Sequence, residues 1–116
     1  LIKNSGNDCI DMSYGSYNIL NGNLLNCFDK GISVGENTDL EIENININDS
    51  KNSIVAKDSS LVNILKANIK NTEICLSAYR KKIEFTGAKI IYNDIECKKY
   101  DKYKYVSDNS EITSYE

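Results

Sequence analysis

Apolar residues along the chain recur two apart, and the same short motif returns about every 22 residues. Ile10, Ile32, Ile54 and Leu76 are in step, as are their partners Met12, Val34, Ala56 and Ala78. Side chains two apart on an extended backbone project to one side, so each pair predicts a short strand with one buried face. A second apolar set follows in every repeat: Ile19 and Leu24, Ile42 and Ile47, Ile64 and Ile69, Phe85 and Ile90. The first and last repeats are one residue short before this set, and the first regains the residue at Phe28 and Asp29.

Turn chemistry follows the same period. Asn21, Asn44, Lys66 and Gly87 form one column between the members of the second set. Asn and Gly tolerate a left-handed backbone, so this column predicts a tight bend. Gly22, Ile45, Ala67 and Ala88 come next, mostly small, and Asn26, Asp49 and Asn71 mark another bend before the following strand. A unit of this length, built of short strands without helical periodicity, predicts one coil of an all-β parallel solenoid. Coils then stack at ~4.8 Å with identical apolar residues forming internal ladders. A leucine-rich repeat has a similar period, but its Leu-x-x-Leu-x-Leu pattern and helical back face are missing from this sequence.

The ends depart from the pattern. Ile2 precedes Leu24 by one period and Asn4 precedes Asn26 by one, so the chain starts inside a coil. The expectation is a piece of a longer protein. Coils are expected over residues 1–97, with Ile95 and Cys97 opening a fifth strand, and a capping strand and tail over 98–116. Alternating Lys and Tyr from Lys98 to Tyr105 suits an edge strand protected by charge better than a stacking platform for single-stranded nucleic acid.

Composition narrows the chemistry. With 116 residues, 27% charged and 41% hydrophobic, the chain supports one domain with its own core. It has no His, Pro or Trp. Imidazole catalysis, His-paired nucleophiles and His-ligated metals are therefore excluded within this chain. A net charge of −3 gives no general attraction to nucleic acid or anionic membrane, and no apolar run is long enough for a membrane-spanning helix. Sixteen Asn and sixteen Ile, with abundant Lys, suggest an AT-rich and bacterial coding genome, in which the triplet Asn48-Asp49-Ser50 carries no glycosylation signal.

The four cysteines read as buried or semi-buried free thiols. Cys9 and Cys75 share a column but lie three coils apart, ~14 Å by the strand spacing, too far for a bond. Cys75 and Cys97 are one period apart, yet the alternation points them in opposite directions, and Cys27 occupies the small-residue column of Ser50 and Thr72. No Cys-x-x-Cys pair supports a zinc site.

Candidate chemistry gathers on the outer face of the first strand set. Alternation places Asp11, Ser33, Val55 and Ser77 outward, then Ser13, Gly35, Lys57 and Tyr79, with Tyr14, Glu36, Asp58 and Arg80 at the edge. Asp8, Lys30 and Asn52 stand at the strand start. The ligand-binding candidates are Asp8, Asp11, Lys30, Ser33, Glu36, Lys57, Asp58, Tyr79 and Arg80. This mixture suits sugar hydroxyls or a uronic carboxylate, and a Lys of depressed pKa beside carboxylates could act as a base. The plainer expectation is a solvated face of alternating charges, with Lys57 in a surface ion pair with Glu36 or Asp58.

The phrases from Asp29 to Glu36 and from Cys75 to Lys82 resemble β-helix repeats of the pectate-lyase-like superfamily, most closely modules near the C-terminus of bacterial surface or spore-coat (CotH-type) proteins. The likeness covers about residues 1–95, with Asp108 to Ile112 as a closing strand. It implies a right-handed parallel β-helix of four to five coils, often associated with polysaccharides. Enzymes of that superfamily use calcium-binding carboxylates with an Arg or Lys base, or paired Asp residues. Asp8 and Asp11 are close enough in sequence to form such a pair, but no hydrolase motif surrounds them.

The expected function is accordingly a non-catalytic, extracellular or cell-surface module that binds carbohydrate or serves as a spacer. The alternative is a fragment of a polysaccharide lyase or hydrolase whose other active-site residues lie elsewhere. No catalytic residue, metal site or cofactor is assigned. Polysaccharide is the expected partner, with edge-to-edge self-association second, and neither nucleic acid nor membrane insertion is expected.

Overall fold

In the computed structural model, which describes residues 1–115, every strand pairing is parallel. The strands are β1 (Ile2–Ser5), β2 (Ile10–Met12), β3 (Gly15–Ile19), β4 (Gly22–Val34), β5 (Thr38–Ile42), β6 (Ile45–Lys57), β7 (Leu61–Tyr79), β8 (Lys89–Val106) and β9 (Glu111–Ser114). They stack as a β-solenoid of about five turns, its coils about 22 residues apart. The final residue of the expected C-terminal tail, 116, lies outside the described residues.

The predicted ladders form. Ile10 pairs with Ile32, Ile32 with Ile54 and Ile54 with Leu76, and Met12, Val34, Ala56 and Ala78 run beside them. Ile19, Ile42 and Ile64 make a second ladder, and Leu24, Ile47 and Ile69 a third. Ile32, Ile42, Ile47, Ile54, Ile64, Ile69 and Leu76 are among the largest fully buried side chains. Each stacks on its own kind, so coil stacking itself is what removes the apolar surface from water. The register breaks once between Cys27 and Lys30, where Phe28 and Asp29 supply the residue missing from the first repeat.

One predicted bend is realised and another is corrected. Asn4, Asn26, Asp49, Asn71 and Lys99 all adopt positive φ between 56° and 73°, a left-handed corner repeated in successive coils. Asn and Asp bear this conformation at low cost, which explains their dominance in the column. By contrast Asn21, Asn44 and Lys66 do not take positive φ, because that corner turns without a left-handed residue; in β7 the strand runs through it unbroken from Leu61 to Tyr79.

The fourth repeat is also corrected. A longer turn over residues 80–87 delays the second apolar set, so Ile64 pairs with Tyr92, well past the position one period on. Tyr92 and Cys97 therefore take the ladder positions expected for Phe85 and Ile90, while Ile90 stacks between Val62 and Ile112. Gly87 sits in this turn, where an added Cβ would lie 2.2 Å from the backbone oxygen of Asn109. Its role is close approach of two turns. The Lys-Tyr run continues the ladder through Val106, with Lys104 on the Leu76 column and its ammonium 5.1 Å above the Tyr92 ring. A cation thus stands where the next apolar rung would be.

The free-thiol expectation is overturned: Cys9 bonds Cys27, Cys75 bonds Cys97, and no free cysteine is left. Strict alternation failed because the corner beside these columns faces inward from both sides. Ser50 and Ser53, on the equivalent columns of the third coil, approach within 3.0 Å across the same corner. An added Cβ at Gly31, in the Cys9 and Cys75 column, would lie 3.1 Å from Ile47, on the Cys97 column one coil further along.

Candidate functional site

The outer face of the first strand set is built by three columns. Asp11, Ser33, Val55, Ser77 and Tyr105 stack in one column, and Lys57 pairs with Tyr79 in the next. Lys30, Asn52, Ile74 and Lys102 form a third column at the strand start. Asp8 extends that column, because its carboxylate accepts the backbone N–H of Lys30 at 3.2 Å.

The structure departs from a flat, solvated, ion-paired sheet. Ser33, Val55 and Ser77 were expected to face water, yet they are only 1%, 1% and 2% exposed. One cover over this face is seen at Gly35. Gly35 has no side chain, and the Lys57 stem lies over it, 3.3 Å from where a Cβ would stand. The Lys57 amine is thereby carried back along the solenoid axis toward the second coil. Tyr79 and Tyr105 meet edge to face at 6.1 Å on the same surface.

Lys57 makes no ion pair among the described residues, with Glu36, Asp58 or any other carboxylate. Partial burial pushes its pKa below the usual lysine value, and the charges of Lys30 and Lys81 push the same way, against Asp11 and Asp8. Lys30 behaves oppositely: burial lowers its pKa, but the hydrogen bond to Asp29 at 2.8 Å and the charges of Asp8 and Asp29 outweigh it and raise it. Tyr79 is held above its ordinary value mainly by burial. Beneath this group the hydroxyl oxygen of Ser33 is buried and has no hydrogen-bond partner. A buried polar atom left unpaired is costly, so this hydroxyl is a local penalty beneath the site, covered and out of reach of a ligand above it.

Other candidates are drawn into scaffolding. Asp58 is 2% exposed, and its carboxylate accepts the backbone N–H groups of Lys81 and Lys82 at 2.6 and 2.8 Å. It organises the long turn and does not face a ligand. Glu36 pairs with Lys82 on that turn. Arg80 is half-buried at the start of the same segment. Asp8, Asp11, Lys30, Lys57 and Tyr79 therefore come together, with Ser33 below them, whereas Glu36, Asp58 and Arg80 belong to the rim.

Lys81, Asp29 and Tyr105 also shape the site and were missed in the sequence. Lys81 arrives through the inserted turn, and Tyr105 occupies the outward column only because the ladder continues past Cys97. Column arithmetic carried one repeat further lands on Lys99, because the inserted turn sets Tyr105 well past one period after Ser77. Among the described residues no group of three or more His, Cys, Asp or Glu could hold a metal ion. No family model, curated protein or solved structure matches the chain.

Proposed function

We propose that this chain is a non-catalytic solenoid module of a bacterial envelope or coat-type protein, binding acidic carbohydrate on the face around Lys57. The carrying observation is the half-buried Lys57 ammonium without a carboxylate partner, standing among Asp8, Asp11 and Lys30 on one surface. An unpaired, partly desolvated cation gains most from an anionic ligand group, and a uronic carboxylate supplies one. Asp8 and Asp11 accept sugar hydroxyls beside it. The neighbouring rings of Tyr79 and Tyr105 offer apolar surface to a pyranose. The paired cysteines support an extracellular or cell-surface setting, since disulfides persist in oxidising compartments. The likeness to pectate-lyase-type repeats points the same way.

A second reading, a lyase or hydrolase fragment, draws on the lowered pKa of Lys57, which would help it act as a base. One experiment separates the two. Retention of the chain on polygalacturonate and alginate is measured, against dextran, together with release of unsaturated or reducing ends. Retention on the acidic polymers that is lost in Lys57→Ala, without product, supports binding alone. Product release sinks the non-catalytic reading, and equal indifference to all the polymers sinks both.

A further inference from the structure

A second surface, remote in register from Lys57, has the form of a binding groove. It encloses about 520 Å³ on the outer side of β4, β6, β7 and β8. Its floor is a column of carboxamides: Asn23 pairs with Asn46 and Asn46 with Asn68 in adjacent coils. The Asn46 amide donates to the Asn23 oxygen at 3.0 Å, and the Asn68 amide donates to the Asn46 oxygen at 3.3 Å. Leu25 and Asn48 line one side.

The ladder leaves hydrogen-bonding capacity over. A carboxamide has two N–H donors and two acceptor lone pairs. Asn46 uses one donor and one acceptor within the ladder, so one of each is spare. Asn23 keeps its donors and Asn68 its acceptor sites. The groove therefore repeats spare donors and acceptors at the coil spacing of ~4.8 Å, along the solenoid axis and across the strands.

That direction decides the class of occupant. Backbone N–H and C=O groups of β4, β6 and β7 are consumed by the parallel ladders, and the open edge of β8 beyond Tyr92 would take a peptide strand across the end of the groove and not along it. The carboxamide column is uncharged, Glu96 and Lys98 offset each other at 3.8 Å at its far end, and Lys70 beside Asn48 leaves one further lysine in the lining. A phosphate backbone would require a row of cations instead. An extended polymer whose every unit carries hydroxyls, each both donor and acceptor, matches the repeat. We infer that this amide-floored groove binds a linear, uncharged polysaccharide lying along the solenoid axis. The inference is independent of the Lys57 reading and shares no residue with it.

The test uses the whole chain with cellohexaose and chitohexaose, followed by calorimetry and by NMR of the side-chain amide signals. Binding of either sugar, with shifts at Asn23, Asn46 and Asn68, is the expected result. A preference for chitohexaose would show that acetamido groups are read, and a preference for cellohexaose that hydroxyls suffice. The pair Asn46→Ala and Asn68→Ala should weaken binding by about thirtyfold, two net hydrogen bonds' worth. Lys57→Ala should leave it unchanged. The amide shifts need no variant, so the test survives a variant that fails to fold. Dissociation constants weaker than about 10 mM for both sugars, or binding without shifts at these three amides, would overturn the inference.

Discussion

Removing the two disulfides should loosen the solenoid from its ends inward. Cys9–Cys27 closes a loop of sequence separation 18 and joins the first coil to the second. Cys75–Cys97 closes one of 22 and joins the fourth to the fifth. On the chain-entropy account, loops of this size contribute about 3 kcal/mol each by restricting the unfolded chain. In a repeat array each coil contacts only its neighbours, so the loss is felt locally before it is felt globally. Cys9→Ser with Cys27→Ser should therefore free the amides of β1 and β2 to exchange, and Cys75→Ser with Cys97→Ser those of β8 and β9. The β6 amides around Ile54, which is completely buried, should stay the most protected in both. Hydrogen exchange read residue by residue, alongside urea unfolding, measures both quantities. Equal loss of protection in every coil, or no loss in stability, would refute the local reasoning.

Three further outcomes follow from particular contacts. Asp58→Ala should cost about 2 kcal/mol in urea unfolding and expose residues 80–87 to proteolysis, because two backbone donors lose a charged acceptor; Asp58→Asn should recover much of this. Gly87→Ala should cost at least about 1 kcal/mol in thermal unfolding, since its Cβ would meet backbone of the Asp108–Asn109 turn. Lys57→Met should stabilise the fold at neutral pH. Below its lowered folded pKa, Lys57 is charged in both folded and unfolded chains, and the folded state carries the penalty. As pH rises from the folded pKa to the ordinary 10.5 the penalty is relieved, so wild type should gain on the variant in urea titrations over that window.

The period made most of the architecture legible. Ile10, Ile32, Ile54 and Leu76 declare a coil because a stacked solenoid must repeat its core residue by residue. The bend at Asn26, Asp49 and Asn71 was readable because few residue types accept a left-handed backbone. Insertions were not readable from spacing. Phe85 satisfied the period better than Tyr92 did, and only the closure of the turn by Asp58 shows that residues 80–87 leave the coil. The cysteine pairing was hidden for a related reason: alternation describes a strand, and the thiols meet across a corner. For the site, the columns identified Lys57, Asp8 and Asp11, but a column cannot tell whether its members are covered. Ser33 is polar and outward in the pattern, yet it is buried.

The unbroken pairing of β6 with the second half of β7 has an evolutionary consequence. From Ile45 to Ala67 through Lys57 to Tyr79, the two match residue for residue at an offset of one repeat, with no slip. A tandem duplication of one such unit would splice into the stack without disturbing what lies on either side. Both surfaces would then lengthen together by ~4.8 Å, one gaining a carboxamide rung and the other a row of outward side chains. The length of each surface is thus set by copy number, a variable that recombination between near-identical repeats changes in a single step, while the mutations that tune each rung accumulate separately.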